Sequence, residues 1–229
     1  MPRVLSENRP HPEPDEGSTF RQRALIFPED IALLPPIAPF LSPKTILREK
    51  LRGERRAAAK ARPDAGKHAA RLFLDNIPLK DRQVVSLYHP MKDELDVGPL
   101  AAALLGRGCA LALPVVETKN APLIFRRYLP GDALGPGSYG ERVPDKTAEA
   151  LTPDILVVPL LGFTRDGGRL GYGAGYYDRT LADLRARRAV LAVGYGFGAQ
   201  EVDALPLSPL DQPLDWIVTE REAIRARAR

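Results

Sequence analysis

The chain has 229 residues, 44% of them hydrophobic and 27% charged, which is enough apolar material for a core and an ordinary globular charge load. With 33 Lys and Arg against 29 Asp and Glu, the net charge is +4, so collagen-like, supercharged and wholly disordered classes are excluded. No apolar run reaches the roughly 20 residues a bilayer-crossing helix needs, and a single cysteine, Cys109, rules out an internal disulfide. The N-terminus has neither the apolar core of a secretion signal nor the acid-poor make-up of a transit peptide, and the expected compartment is a reducing cytoplasm.

Residues 1–43 hold nine of the 23 prolines. Proline at that density blocks helix propagation and sheet ladders, so this stretch is expected to be an extended, mobile arm in which Ile31, Leu33, Leu34, Ile37, Phe40 and Leu41 could dock on the body. Residues 44–229 form the expected α/β domain. From Pro43 to Arg62 the pattern turns helical. At 100° per residue, Lys44, Arg48, Arg52, Arg55 and Arg62 share an arc of about 80°, beside Leu47, Leu51, Ala58 and Ala61. Lys44 to Arg71 contains ten basic residues against three acids, a net of +7 that leaves −3 for the rest of the chain. Such a focus points to a polyanionic partner, whether nucleic acid, nucleotide or a multiply carboxylated small molecule.

Beyond it, β-like and helical stretches alternate. Strands are expected at Val84 to Tyr88, Cys109 to Val116, Leu123 to Tyr128, Ile155 to Leu161, Val190 to Gly194 and Trp216 to Thr219. Helices are expected from about Asp96 to Leu105, around Lys146 to Leu151, and from Tyr176 to Arg188. Alternation of this kind indicates an α/β fold with a mostly parallel sheet. Ile155 to Leu161, apolar almost throughout, suits a strand covered on both faces.

The segment richest in chemistry is Gly167-Gly-Arg-Leu-Gly-Tyr-Gly-Ala-Gly-Tyr-Tyr-Asp-Arg179. Glycines permit positive φ and close backbone approach, and the helix N-terminus that follows favours anions. The segment lacks the Gly-Lys-Ser/Thr of a Walker loop, and the two-residue spacing of Gly171, Gly173 and Gly175 does not satisfy G-x-G-x-x-G. Three tyrosines and an acid add groups able to stack on a ring system and to hold Mg2+.

Arg169 to Asp178, in order with Lys44-x-x-Leu-Arg48, Tyr88-His-Pro-Met-Lys-Asp-Glu94 and Asp211-Gln-Pro-Leu-Asp-Trp-Ile-Val-Thr-Glu220, resembles the 5-formyltetrahydrofolate cyclo-ligase (methenyltetrahydrofolate synthetase) family. The resemblance implies a Rossmann-like three-layer α/β/α sandwich. It also implies ATP- and Mg2+-dependent conversion of 5-formyltetrahydrofolate to 5,10-methenyltetrahydrofolate, with release of ADP and phosphate. A formyl amide is a poor electrophile, so its oxygen must be phosphorylated before a neighbouring amine attacks. Such chemistry needs positioning and charge neutralisation more than a nucleophilic side chain.

By the same resemblance, Lys44, Arg48 and Arg169, Leu170, Gly171, Tyr172, Gly173, Ala174, Gly175, Tyr176 and Tyr177 bind ATP. His89, Glu94 and Tyr172 to Tyr176 touch the folate, and Asp178 and Asp211 hold Mg2+. Tyr172, Tyr176 and Arg169 then stand nearest the reacting atoms. The implied partners are ATP and the folate, polyglutamylated forms included, with no nucleic acid or membrane and a monomeric chain. Thr164 and Val143 depart from an Asp and a Glu usual in the family, and Ala174 from a Gly or Lys. Two other readings stay open: a non-catalytic nucleotide-binding paralogue of the same fold, and a basic nucleic-acid-binding module.

Overall fold

Ser42 caps the first helix, its hydroxyl accepting the Thr45 amide at 3.3 Å, and Pro43 occupies the first turn, where a missing N–H costs nothing. The computed structural model describes residues 42–226. The docking residues expected between Ile31 and Leu41 lie outside the described residues. Helix α1 (Pro43–Ala61) buries Leu47 and Leu51, as its periodicity predicts. A second helix that the sequence pattern had not suggested, α2 (Ala65–Asn76), follows directly and buries Ala65, Ala69, Ala70 and Phe73.

The elements that follow are β1 (Val84–Ser86), α3 (Gly98–Gly106), β2 (Ala110–Val115), β3 (Ile124–Arg127), β4 (Gly135–Pro136), β5 (Arg142–Val143), β6 (Ala150–Leu151) and β7 (Ile155–Pro159). The chain continues through β8 (Gly162–Phe163), β9 (Arg169–Leu170), α4 (Tyr176–Arg187), β10 (Leu191–Tyr195), β11 (Trp216–Val218) and β12 (Ala223–Arg225). Eight strands form one sheet in the order β12-β11-β10-β7-β1-β2-β3-β6. The five from β11 to β2 are parallel, with Val85 level with Leu111 and Ile155, and Val193 level with Val157 and Trp216. The outer strands β12, β3 and β6 are antiparallel.

Alternate side chains build two cores. Val85, Leu111, Ile155, Val157 and Val193 pack under α2 and α3, while Ala112, Leu156, Val158, Ala192 and Ile217 pack with Leu181 and Leu184 of α4. The result is the expected three-layer α/β/α sandwich with a mostly parallel sheet.

The helix expected around Lys146 to Leu151 does not form. Asp145 closes a turn there, its Oδ1 accepting the Thr147 amide at 2.8 Å and the Thr147 hydroxyl at 2.7 Å, and Ala150–Leu151 pair with β3 instead. So short a segment cannot nucleate a helix while a strand edge offers its backbone partners.

In spatial order the parallel strands read β2-β1-β7-β10-β11, so the winding direction reverses between β1 and β7. A crevice opens at the carboxyl ends of the strands at such a reversal, and ligands bind there. Short β8 and β9 form a hairpin beyond the end of β7, and α1 lies across it. The Leu51 Cδ1 sits 2.6 Å from where a Cβ on Gly162 would be, so only glycine lets helix and hairpin approach this closely.

Gly194 is similarly confined within β10, where an added Cβ would stand 2.5 Å from Leu214 Cδ1 and 2.9 Å from Leu160 Cδ2. Gly194→Val is expected to lower stability by about 1–3 kcal/mol through overpacking, read as a lower denaturation midpoint with an unchanged slope in urea.

Candidate active site

The crevice holds a cavity of about 560 Å3, a size suited to a small molecule. Its wall includes every residue nominated from the sequence: Lys44 and Arg48 from α1, His89 and Glu94 after β1, the whole run Arg169 to Asp178, and Asp211.

The glycines at two-residue spacing are explained by guanidinium groups rather than by a known nucleotide template. A Cβ on Gly171 would meet Arg169 Nη1 at 2.7 Å, one on Gly173 the Arg48 Cζ at 3.3 Å, and one on Gly175 the Arg179 Nη1 at 2.9 Å. Gly173 and Gly175 also have φ of 107° and 69°, which disfavours any residue with a Cβ. Arg48 Nε donates to the Gly171 carbonyl at 2.9 Å, and Arg179 Nη2 to that of Ala174 at 2.8 Å. Ala174 itself is not among the residues with positive φ, so the methyl group is accommodated without strain. Arg169 is 8% exposed, and its Nε has no partner among the described residues. A guanidinium on the wall of a cavity is a place for an anionic ligand.

Each loop tyrosine faces an arginine. The Arg179 Cζ lies 4.9 Å from the Tyr176 ring centroid, and the Cζ atoms of Arg169 and Arg55 lie 5.7 Å from those of Tyr177 and Tyr172. The Tyr172 hydroxyl accepts from Arg55 Nη1 and donates to Glu94 Oε1, while Glu94 Oε2 accepts the Met91 amide at 2.8 Å. Burial pushes the Glu94 carboxyl above the usual carboxylate range, against the hydrogen bonds from Met91 and Tyr172 and the charge of Arg55, which act to lower it. Burial also drives the phenols of Tyr172 and Tyr177 well up, so both stay neutral at any working pH.

The two acids sit close together in the fold. Asp178 Oδ1 accepts the amide of Gln212, the neighbour of Asp211, at 3.2 Å. Both Asp178 oxygens take Arg169 Nη2 at 3.0 Å, and Asp211 Oδ2 takes Lys44 Nζ at 2.9 Å. No group of three or more His, Cys, Asp or Glu able to hold a metal occurs among the described residues. Two carboxylates on a cavity wall, without a full protein cage, fit Mg2+, which binds one or two carboxylates and completes its shell with water and phosphate oxygens.

Three residues that sequence reasoning had not nominated for the site belong to it. Tyr139 is 55% exposed, but its hydroxyl meets that of Tyr176 at 2.8 Å and the rings stack edge to face. Glu141 lines the same wall. The run Gly137-Ser-Tyr-Gly-Glu141, an aromatic between two glycines with an acid directly after, is the signal that could have found them. The third, Arg55, belongs by its spacing to the cationic stripe of α1, and its burial becomes visible only in the fold. Thr164 caps the turn of the β8–β9 hairpin, accepting the Gly168 amide at 3.1 Å through its hydroxyl, and does there what a carboxylate would do. Val143 pairs with Gly135 in a two-stranded ribbon. His68 is exposed.

The sequence matches the 5-formyltetrahydrofolate cyclo-ligase family over residues 41–220. The 5-formyltetrahydrofolate cyclo-ligase of Escherichia coli (strain K12) is 31% identical over 175 residues, which cover 74% of this chain and 96% of that protein. The Mycolicibacterium smegmatis cyclo-ligase is 32% identical over 191 residues, 80% of this chain and 96% of its own. Among solved structures, the Aquifex aeolicus 5,10-methenyltetrahydrofolate synthetase aligns with a TM-score of 0.60 at 31% identity, covering 81% of this chain and 94% of that one. The Mycoplasma pneumoniae synthetase gives 0.61 at 25% identity, covering 79% and 100%. Fold and similarity together define an α/β enzyme of the ligase class. The chain belongs to the 5-formyltetrahydrofolate cyclo-ligase family.

Asp211 carries a pH dependence whose sign can be worked out. Burial raises its carboxyl, but the hydrogen bonds from Lys44 and the Ser208 amide outweigh it and hold the group below the usual carboxylate range. A depressed carboxyl contributes stability above its unfolded value near 3.9 and loses it as pH falls through the folded one. Lys44→Met is therefore expected to cost at most about 1 kcal/mol at neutral pH for this part-exposed pair. The gap to wild type should close below about pH 4 in denaturant titrations, and a gap of constant size would refute the linkage.

Proposed function

We propose that the protein uses ATP and Mg2+ to convert 5-formyltetrahydrofolate to 5,10-methenyltetrahydrofolate. The formyl oxygen attacks the γ-phosphorus and ADP leaves. The N10 amine then attacks the activated formyl carbon, forming the second C–N bond, and phosphate departs with the formyl oxygen while N10 loses its proton. One observation supports this reading: basic side chains, a buried carboxylate and the glycine loop line one cavity.

Lys44, Arg48 and Arg169 are the groups that hold the phosphates, all three lining the cavity. Glu94 accepts N–H donors of the pterin, His89 borders it, and Tyr172 to Tyr176 lie where the γ-phosphate and formyl oxygen must meet. Mg2+ would be held by Asp178 and Asp211 together with phosphate oxygens, where it would neutralise charge on the transferring group. Preorganised donors and excluded water supply the rest of the catalysis.

Purified protein mixed with Mg-ATP and 5-formyltetrahydrofolate is expected to develop methenyl absorbance, and to develop none when ATP is withheld. Absence of product with every nucleotide would leave a non-catalytic paralogue. Lys44→Ala should raise the ATP constant about tenfold or more, for a charged hydrogen bond worth about 1.5–3 kcal/mol, with little change for the folate. Arg56→Ala, whose exposed side chain faces Asp93 at 3.4 Å, should leave both constants unchanged.

The two acids are expected to differ. Asp178→Asn should reduce turnover by about a hundredfold or more and also lower the melting temperature, because buried Arg169 loses its counter-charge. Asp211→Asn should be milder and partly recovered at high Mg2+, since water can replace one ligand of a hydrated ion. Equal, Mg2+-insensitive losses would count against metal ligation by this pair.

A further inference from the structure

Arg55 is 6% exposed and stands behind the cavity wall rather than on it. It lies seven residues beyond Arg48 and eleven beyond Lys44 on α1, hence on the same helical face and about 10 Å further along the axis than Arg48. One helix thus sends two cations to the phosphate part of the crevice and a third to the other part. The Arg55 Nη1 donates to the Tyr172 hydroxyl, lies 3.7 Å from Glu94 Oε1, and its Nε has no partner among the described residues.

We propose that Arg55 is a positioning residue for the folate half of the site: it orients the Tyr172 hydroxyl toward Glu94 and keeps the buried Glu94 carboxylate charged. The word folate rests on the function proposed above; the electrostatics do not. A hydroxyl that accepts a hydrogen bond from a guanidinium has its own O–H free to donate, and the available acceptor is Glu94 Oε1. Among the described residues, four ionisable side chains face that carboxylate: Tyr88 from the segment after β1, Tyr172 from the glycine loop, Tyr177 from α4 and Arg55 from α1. The three phenols are neutral at working pH, so Arg55 supplies the positive charge. Without it, desolvation drives Glu94 toward the protonated form. A protonated carboxyl loses acceptor capacity and meets the N–H donors of a bound ring poorly.

The test separates charge from orientation with two variants, Arg55→Gln and Arg55→Lys, in the full-length protein labelled with 13C-carboxyl glutamate. Glu94→Gln identifies the Glu94 signal. In Arg55→Gln the Glu94 carboxyl is expected to titrate about one pH unit higher than in wild type, and the acid limb of kcat/KM for 5-formyltetrahydrofolate should move up by a similar amount. The KM for ATP should stay within about twofold, as Arg55 lies outside the phosphate region. In Arg55→Lys the titration should stay near that of wild type. The folate kcat/KM should nevertheless fall about tenfold across the pH range, because a compact ammonium cannot reproduce the planar donor geometry.

An unmoved Glu94 titration in Arg55→Gln, or equal losses toward ATP and folate, would overturn the proposal and leave Arg55 as a packing residue. If Arg55→Gln does not fold, Arg55→Lys decides, and wild-type folate kinetics in that variant would be equally fatal. The titration is independent of turnover. An inactive wild-type protein that shows the shift keeps this inference and sinks the proposed activity, and an active protein without the shift does the reverse.

Discussion

The close approach of α1 to the glycine loop is the constraint on which the crevice depends. Arg48 packs against Gly173 and binds the Gly171 carbonyl, Arg55 reaches the Tyr172 hydroxyl, and Leu51 fills the space above Gly162. The Arg48 and Leu51 approaches exist because Gly173 and Gly162 carry no side chain. The same approach crowds Lys44, Arg48, Arg55, Arg169 and Arg179 together, and desolvating charges costs several kcal/mol per ion unless they are paired. The fold answers with Asp178, Asp211 and Glu94 as counter-ions and with three tyrosine rings whose faces attract cations.

Under the proposed function the carboxylates would take two roles in succession. In the structure they neutralise the basic residues: Asp211 holds Lys44 and Asp178 holds Arg169. In the proposed reaction a polyphosphate takes over the cations and frees the same oxygens for a divalent ion. The change is an exchange of partners rather than the creation of new charge in a dry site, so little protein reorganisation is needed when the substrate arrives.

Much of this was legible in the sequence, and the parts that were not share a cause. Leu47 and Leu51 recur at helical spacing, so α1 could be placed to within a residue, and the uninterrupted apolar run of β7 marked a strand covered on both sides. The ordered motifs around Lys44, Glu94, Arg169 and Asp211 identified residues that the fold brings to one cavity. Pro63 and the turn after it disguised α2, although Ala65, Ala69 and Phe73 have the right period. The stretch 146–151 looked helical because nothing local shows that β3 offers it an edge. Arg55 and Tyr139 escaped for the same reason: one is buried and the other reaches Tyr176 only through tertiary contacts that no local pattern carries.

The antiparallel flanks of the sheet bear on how the chain survives its own synthesis. A bare parallel sheet ends in a row of unpaired amides and carbonyls that another chain can extend. Here the outermost strands are β6, only Ala150–Leu151, and β12, Ala223–Arg225, where Arg225 lies 6.0 Å from the Trp216 ring centroid. Neither edge exposes enough contiguous backbone to match the six or seven residues typical of a cross-β seed. The apolar β7 is shielded by β10 on one side and β1 on the other, so its apolar edges are exposed only in the interval before those neighbours have folded around it.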